Sequence, residues 1–450
     1  MNAYVARVIE DAKVKYKNEP EFIQTVEEVL SSLSPVVDAH PEYEKADLLG
    51  RMIEPERMFT FRVVWVDDNG VAHTNTGYRC QFNGAIGPYK GGLRFKPNVY
   101  AGIIKFLGFE QTFKNALTGQ PIGGGKGGSD FNPKGKSEGE IMRFCQSYMT
   151  ALYRYIGPDI DVPAGDEGVG GREIGYMFGQ YRRLKGVWEN GVLTGKGMTY
   201  GGSRFRPEAT GYGAIYYLNS VLAHEGDTLK GKTIAVSGYG NVSWGICKKA
   251  RELGAKVVTI SGRDGYVYDE EGVTSSDEKV AYLLEMRASK NGSIKDYADK
   301  FGVPFFPGEK PWGRKVDIAM PAATQNEVVM EDAQKIAANG VKYYMEVSNM
   351  STTNDALNFL RAQEGMIVGP AKAVNAGGVG VSALEMSQNS ERLVWTAEEV
   401  DEKLKAMMKD IHDSSAKAAE TYGLGYDLVA GANIAGFTKV AEAMMAQGIF

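Results

Sequence analysis

A chain of 450 residues is too long for one ordinary hydrophobic core, so two or three domains are expected. With 43% hydrophobic and 24% charged residues the composition is that of a soluble globular protein. The net charge of −5 argues against a nucleic-acid partner, which would advertise a basic face.

In chain order, residues 3–33 carry the spacing of two amphipathic helices. Val5, Val8 and Ile9 mark the first, Phe22, Val26, Val29 and Leu30 the second, and Asn18-Glu19-Pro20 parts them. This opening lacks the apolar centre of a signal peptide, and no apolar run reaches the length of a membrane span. Cys80, Cys145 and Cys247 are odd in number and far apart, which fits reduced thiols and a cytoplasmic protein. His40, His73, His224 and His412 show no ligand spacing, so no metal is expected.

Residues 57–66 and 71–82 alternate as strands about the turn Asp68-Asn69-Gly70. Two glycine-flanked lysines follow, Lys90 within 87–95 and Lys126 within 123–130, the latter expected in a glycine loop. Between them Asn98 is positioned to cap a helix reaching Leu117, with Glu110, Gln111 and Lys114 on its last turns. Ser137 and Glu140 have capping-box spacing and open a helix to about Tyr155. Residues 159–168, Pro- and Gly-rich and acidic, read as a loop carrying Asp166.

The pattern changes near 199–203, where a hinge is placed. Pro207 opens a helix ending near Leu222, and strands then alternate with helices. Strands are expected at 233–237, 256–261, 316–319, 343–347 and 366–368, and long helices at 397–420 and 434–447. Such alternation predicts parallel βαβ units. The fold expected is α/β: an N-terminal mixed-sheet domain, residues 1–200, and a Rossmann-type doubly wound domain from residue 201 on.

Ser237-Gly238-Tyr239-Gly240-Asn241-Val242-Ser243 leaves a strand and opens a helix, as a dinucleotide-binding turn does. Gly238 makes the turn, and Gly240 lets the backbone approach a pyrophosphate. Ser243 stands where the third glycine of the fingerprint belongs. At the tip of the next strand Ser261 and Arg263 suit a 2′-phosphate, whereas Asp264 suits a free 2′-hydroxyl. The reading leans to NADP over NAD.

Lys90, Lys114 and Lys126 make sense together if the substrate has two carboxylates and a reacting carbonyl. Two ammonium groups balance the carboxylates. The third, pushed toward its neutral form, exchanges protons, and Asp166 is its acid/base complement.

These segments, with 83–95, 105–114, 206–213, 321–326, 375–378 and 387–392, closely resemble the hexameric short-subunit microbial glutamate dehydrogenases, within the Glu/Leu/Phe/Val dehydrogenases. The resemblance runs over essentially the whole chain, and it implies a cleft between the two domains and a C-terminal segment, 426–450, that returns to complete the first domain, leaving 201–425 to the second. It implies reversible deamination of glutamate to 2-oxoglutarate and ammonia, with no nucleic-acid or membrane partner, by a cytoplasmic homohexamer. Residue by residue it implies that Lys90 and Ser382 hold the side-chain carboxylate, and Gln111 and Lys114 the α-carboxylate. Lys126 and Asp166 are implied as catalytic. Thr210, Gln325 and Asn375 are implied to orient the nicotinamide, while Gly238, Gly240, Asn241 and Val242 line the pyrophosphate. Relatives acting on leucine, valine or phenylalanine carry an apolar residue where Lys90 stands. A branched-chain or aromatic amino-acid dehydrogenase and a catalytically silent scaffold are the rival readings, opposed by Lys90 with Ser382 and by Lys126 with Asp166.

Overall fold

The structure, a computed structural model, describes residues 1–205, 207–289 and 293–449. Arg206, which opens one of the segments named above, and Phe450 lie outside the described residues. The chain forms two compact units. The first comprises Met1–Arg206, Val379–Asp401 and Asn433–Phe450; the second comprises Pro207–Gly378 and Glu402–Ala432.

The first unit is built on a five-stranded mixed sheet of β1 (Arg57–Val66), β2 (Ala72–Asn83), β3 (Tyr89–Phe95), β4 (Gly123–Ser129) and β5 (Asp161–Gly165), in the order β1-β2-β4-β3-β5. β1 and β2 are antiparallel, as are β2 and β4, while β3 runs parallel to both β4 and β5. Helices Ala3–Lys15 and Pro20–Ser31 break at Pro20, as the spacing predicts. Ser137 and Glu140 form their capping box on helix Glu138–Leu152, satisfying donors that a helix start leaves unpaired. One face of the sheet packs on an aromatic cluster that includes Trp65, Phe95, Phe131, Phe144 and Tyr148, in which Phe131 and Phe144 stack at 3.7 Å.

Three expectations fail here. The segments around Lys90 and Lys126 are not loops but the paired strands β3 and β4, and every residue of β4 is buried. Glycine is a poor strand former in isolation, yet no larger residue fits. A Cβ at Gly91 would fall 1.6 Å from the Gly125 carbonyl oxygen, and one at Gly124 would fall 2.0 Å from Thr112 Oγ1. The glycines let helix Ala101–Leu117 lie directly on the sheet. That helix begins at Ala101, with no side-chain cap from Asn98, and ends at Leu117 as expected. Likewise the acidic segment contributes β5, and only its end is a turn: Asp166 and Val169 exchange backbone hydrogen bonds of 3.1 and 2.9 Å.

The second unit holds a seven-stranded sheet of β6 (Thr233–Val236), β7 (Lys256–Ser261), β8 (Gly265–Tyr268), β9 (Phe305–Pro307), β10 (Ile318–Met320), β11 (Tyr343–Met345) and β12 (Ile367–Gly369). Its order is β12-β11-β10-β6-β7-β8-β9, parallel from β12 to β7 and antiparallel at β8 and β9. The chain runs outward in both directions from β6, so β6 and β10 flank the point where the winding reverses, the usual place for a nucleotide. Helices Ala209–His224 and Asn241–Glu252 meet almost backbone to backbone, because a Cβ on Gly245 would lie 2.6 Å from the Glu208 carbonyl oxygen.

Cys80, Cys145 and Cys247 are all buried and free, and burial pushes each thiol's pKa up. Among the described residues no helix is long and apolar enough to cross a membrane, and no group of His, Cys, Asp and Glu is arranged to hold a metal.

Candidate active site

Strand pairing in the first unit gathers the lysines. Lys90 on β3 stands opposite Gly124, two residues before Lys126 on β4, and β5 delivers Asp166 one residue past its end. Asn115 ties the neighbouring helix to both strands, since its side-chain amide donates to the carbonyls of Lys90 and Gly123. On the same helix lie Gln111, which donates to Asn115 Oδ1 at 2.6 Å, and Lys114; both are buried. Ser382, also buried, sits on helix Gly377–Glu391 in the part that belongs to the first unit.

Lys126 Nζ lies 3.2 Å from Asp166 Oδ2, and Arg94 Nε donates to that same oxygen at 2.8 Å. Gly92 makes room for this carboxylate, because a Cβ there would approach Asp166 Cβ to 2.7 Å. Burial lowers the Lys126 pKa; Asp166 opposes that, and the charges of Arg94 and Arg79 add to it. Burial alone would raise Asp166, but Lys126 and Arg94 outweigh it and hold the carboxyl well below the usual carboxylate range. An ionised acid therefore faces an amine whose charge is disfavoured, an arrangement suited to proton exchange.

Lys90 donates to Thr194 Oγ1 at 2.8 Å, and both residues are buried. Beneath the sheet Arg79 and Asp161 make a fully buried two-pronged ion pair, with Nε to Oδ2 at 2.8 Å and Nη2 to Oδ1. Arg79 Nη1 also donates to the Gly91 carbonyl at 3.0 Å. That pair fastens β2 to β5 across the two strands that carry the lysines.

In the second unit the loop after β6 has the dinucleotide geometry. Gly238 sits at φ +77°, and Gly240 is the N-cap of helix Asn241–Glu252. Nothing lies within 4 Å of where a Gly240 Cβ would be, so its backbone is open to a ligand. Ser243 fills the third fingerprint position: its hydroxyl donates to the Ser237 carbonyl at 2.8 Å inside the turn. Val242 follows Asn241 in the first turn, and Thr210 lies in the first turn of helix Ala209–His224. Gln325 lies in the segment after β10, which joins the glycine turn where Ala322 N–H donates to Ser237 Oγ at 2.8 Å.

Asn375 donates through Nδ2 to the Val347 carbonyl at 3.0 Å, while its buried Oδ1 has no hydrogen-bond partner. Asn326 Oδ1 is also buried and unpaired. Orphaned acceptors of this kind suit a carboxamide donor, so these residues fit a nicotinamide dinucleotide. Ser261 Oγ accepts from Gly238 N–H at 2.8 Å and serves the turn itself; Arg263 is exposed, and Asp264 accepts from the Ser293 hydroxyl.

Sequence reasoning missed Arg94, Asn115, Thr194 and Arg287. Arg287 reaches back from helix Asp277–Ser289 to Asn241 Oδ1 and lies over the Trp244 ring at 5.3 Å. Only Arg94 gave a local signal, standing in the same glycine-rich segment as Lys90.

Residues 55–183 match the family described as Glu/Leu/Phe/Val dehydrogenase, dimerisation domain, and residues 201–448 match Glutamate/Leucine/Phenylalanine/Valine dehydrogenase. The chain is 69% identical over 449 residues to the NAD-specific glutamate dehydrogenase of Clostridium symbiosum, covering 100% of both. It is 54% identical over 433 residues to the NADP-specific glutamate dehydrogenase of Haemophilus influenzae, covering 96% of both. A solved glutamate dehydrogenase structure superposes with a TM-score of 0.98 at 69% identity over 99% of each chain. Relatives thus include both cofactor specificities, and the sequence's lean toward NADP is not favoured.

Proposed function

The chain belongs to the glutamate/leucine/phenylalanine/valine dehydrogenase family, and on that premise we propose how it acts as a glutamate dehydrogenase. It interconverts L-glutamate with 2-oxoglutarate and ammonia. The observation that carries the assignment of roles is the meeting at 3.2 Å of Lys126, on β4, with Asp166, just past the end of β5, both strands flanking the one that carries the buried Lys90.

In this reading Lys90 and Ser382 hold the side-chain carboxylate, and Lys114 with Gln111 the α-carboxylate. Asp166 takes a proton from the substrate ammonium, freeing the nitrogen lone pair. When bound, the nicotinamide dinucleotide accepts the α-hydrogen as hydride. Lys126, as neutral amine, then removes a proton from the water that adds to the substrate iminium carbon. Lys126 passes that proton to solvent and Asp166 returns its own to the nitrogen; as the C–N bond breaks and ammonia leaves, Lys126 takes up the proton of the carbinolamine hydroxyl, which becomes the carbonyl oxygen. A leucine side chain in place of the second carboxylate offers the Lys90 ammonium neither an acceptor nor an opposite charge, which disfavours apolar substrates.

Thr210, Gln325 and Asn375 would orient the nicotinamide, and Gly238, Gly240, Asn241 and Val242 would receive the pyrophosphate. NAD is the preferred cofactor in this reading. The NAD-specific relative at 69% identity supports it, as does Asp264, a carboxylate suited to a ribose hydroxyl and repulsive to a phosphate. The first unit serves substrate binding and self-association into a homohexamer, and the second serves the dinucleotide.

The test is absorbance at 340 nm with glutamate and each cofactor, on the native protein and on Lys90→Leu. Turnover with glutamate and NAD is expected, and Lys90→Leu should lose about 100-fold or more of kcat/KM. No glutamate turnover, or an unaffected Lys90→Leu, sinks the reading.

A further inference from the structure

Lys196 and Glu385 stand 189 residues apart in sequence, yet both side chains are wholly out of water, 0% exposed. The Lys196 ammonium donates to Glu385 Oε1 at 2.7 Å, to Asn389 Oδ1 at 2.9 Å and to the Leu193 carbonyl, so each of its protons has an acceptor. Glu385 in turn accepts from the backbone N–H of Gly195 at 3.0 Å and of Lys196 at 3.3 Å. Burying two charges rarely stabilises a fold more than a well-packed apolar pair would, so such a pair is weak as a stabiliser but strong as a geometric constraint.

What it constrains is Thr194, the residue before Gly195. Thr194 N–H donates to the Pro163 carbonyl on β5 at 3.1 Å, and its hydroxyl accepts from Lys90. On the helix side Glu385 lies three residues beyond Ser382, so the carboxylate that grips Gly195 and the Ser382 hydroxyl share one helix face. A single ion pair thereby fixes the helix bearing Ser382 against the segment whose Thr194 holds the Lys90 ammonium.

We propose that Lys196 and Glu385 are positioning residues that set the subsite for the substrate's side-chain carboxylate, and with it the preference for a dicarboxylic amino acid. This rests on the reading of Lys90 and Ser382 given above. Neither residue touches the substrate; they act through Thr194 and Ser382.

The native protein, Glu385→Gln and the apolar pair Lys196→Met/Glu385→Leu are assayed with L-glutamate and with L-norvaline, whose side chain is uncharged. In the variants kcat/KM for glutamate should fall about tenfold or more, mostly through KM, while that for norvaline stays within about threefold. Equal losses on both substrates, or none on glutamate, overturn the proposal. If Glu385→Gln does not fold, the apolar pair decides, because it leaves no buried charge alone. If neither folds, the ion pair is structural and the proposal fails. Failure of the native protein to oxidise glutamate sinks the underlying functional reading, an outcome read before any variant is compared.

Discussion

Asp166 Oδ2 is shared between two cations, and the sharing decides how the site titrates. Arg94 lowers the pKa of both partners: it favours the carboxylate, and it disfavours a second positive charge on Lys126. On the proposed mechanism Lys126 works as the neutral amine, so kcat/KM should rise with pH along a limb below the ordinary lysine range. Arg94→Gln removes a like charge from Lys126, so that limb should move to higher pH. Activity at neutral pH should drop about tenfold or more. A pH profile of kcat/KM checks this; a limb that stays in place while activity falls would mean that Arg94 serves the fold alone. Lys126→Ala and Asp166→Asn should each cost about 100-fold or more in kcat, with circular dichroism showing that each variant still folds.

For the elements, the glycines separate into those pressed against the rest of the protein and those with open space beside them. Gly124→Ala would push Cβ to 2.7 Å from the Thr112 Cα, a backbone atom that cannot step aside. It should destabilise the first unit by about 1–3 kcal/mol in urea titration. Gly240→Ala meets nothing in the protein, so its unfolding curve should match the native one while the KM for the dinucleotide rises. Equal unfolding curves for the two variants would refute the distinction. The helix break at Pro20, the capping box at Ser137 and the turn after β6 were legible because each is a local rule written within a few residues. The glycine strands were not, because their reason is the proximity of Thr112 and of Gly125 across a sheet, while composition alone spells a loop. Nor could spacing reveal that Thr194 answers Lys90, that Glu385 answers Lys196, or that Arg287 reaches Asn241. Those partners lie 46 to 189 residues apart and meet only after folding.

At the scale of the whole molecule, neither unit is a single stretch of chain. The first acquires Ser382 and Glu385 only from Val379–Asp401, and closes with Asn433–Phe450. Sequence division at 200 and 425 gives Ser382 to the dinucleotide domain's span, whereas its helix, through Glu385 and Asn389, is hydrogen-bonded to Gly195, Lys196 and Gly201. An N-terminal fragment therefore lacks the helix that carries Ser382 and Glu385. Both units also enclose sulfur: Cys80 and Cys145 lie in the first and Cys247 in the second, all with thiols that burial keeps protonated. Iodoacetamide should leave the native protein unalkylated and label each cysteine only when its own unit opens. Mass spectrometry of a timed alkylation in dilute denaturant then reads two clocks from one sample, and the order in which they start tells which half of the molecule lets go first.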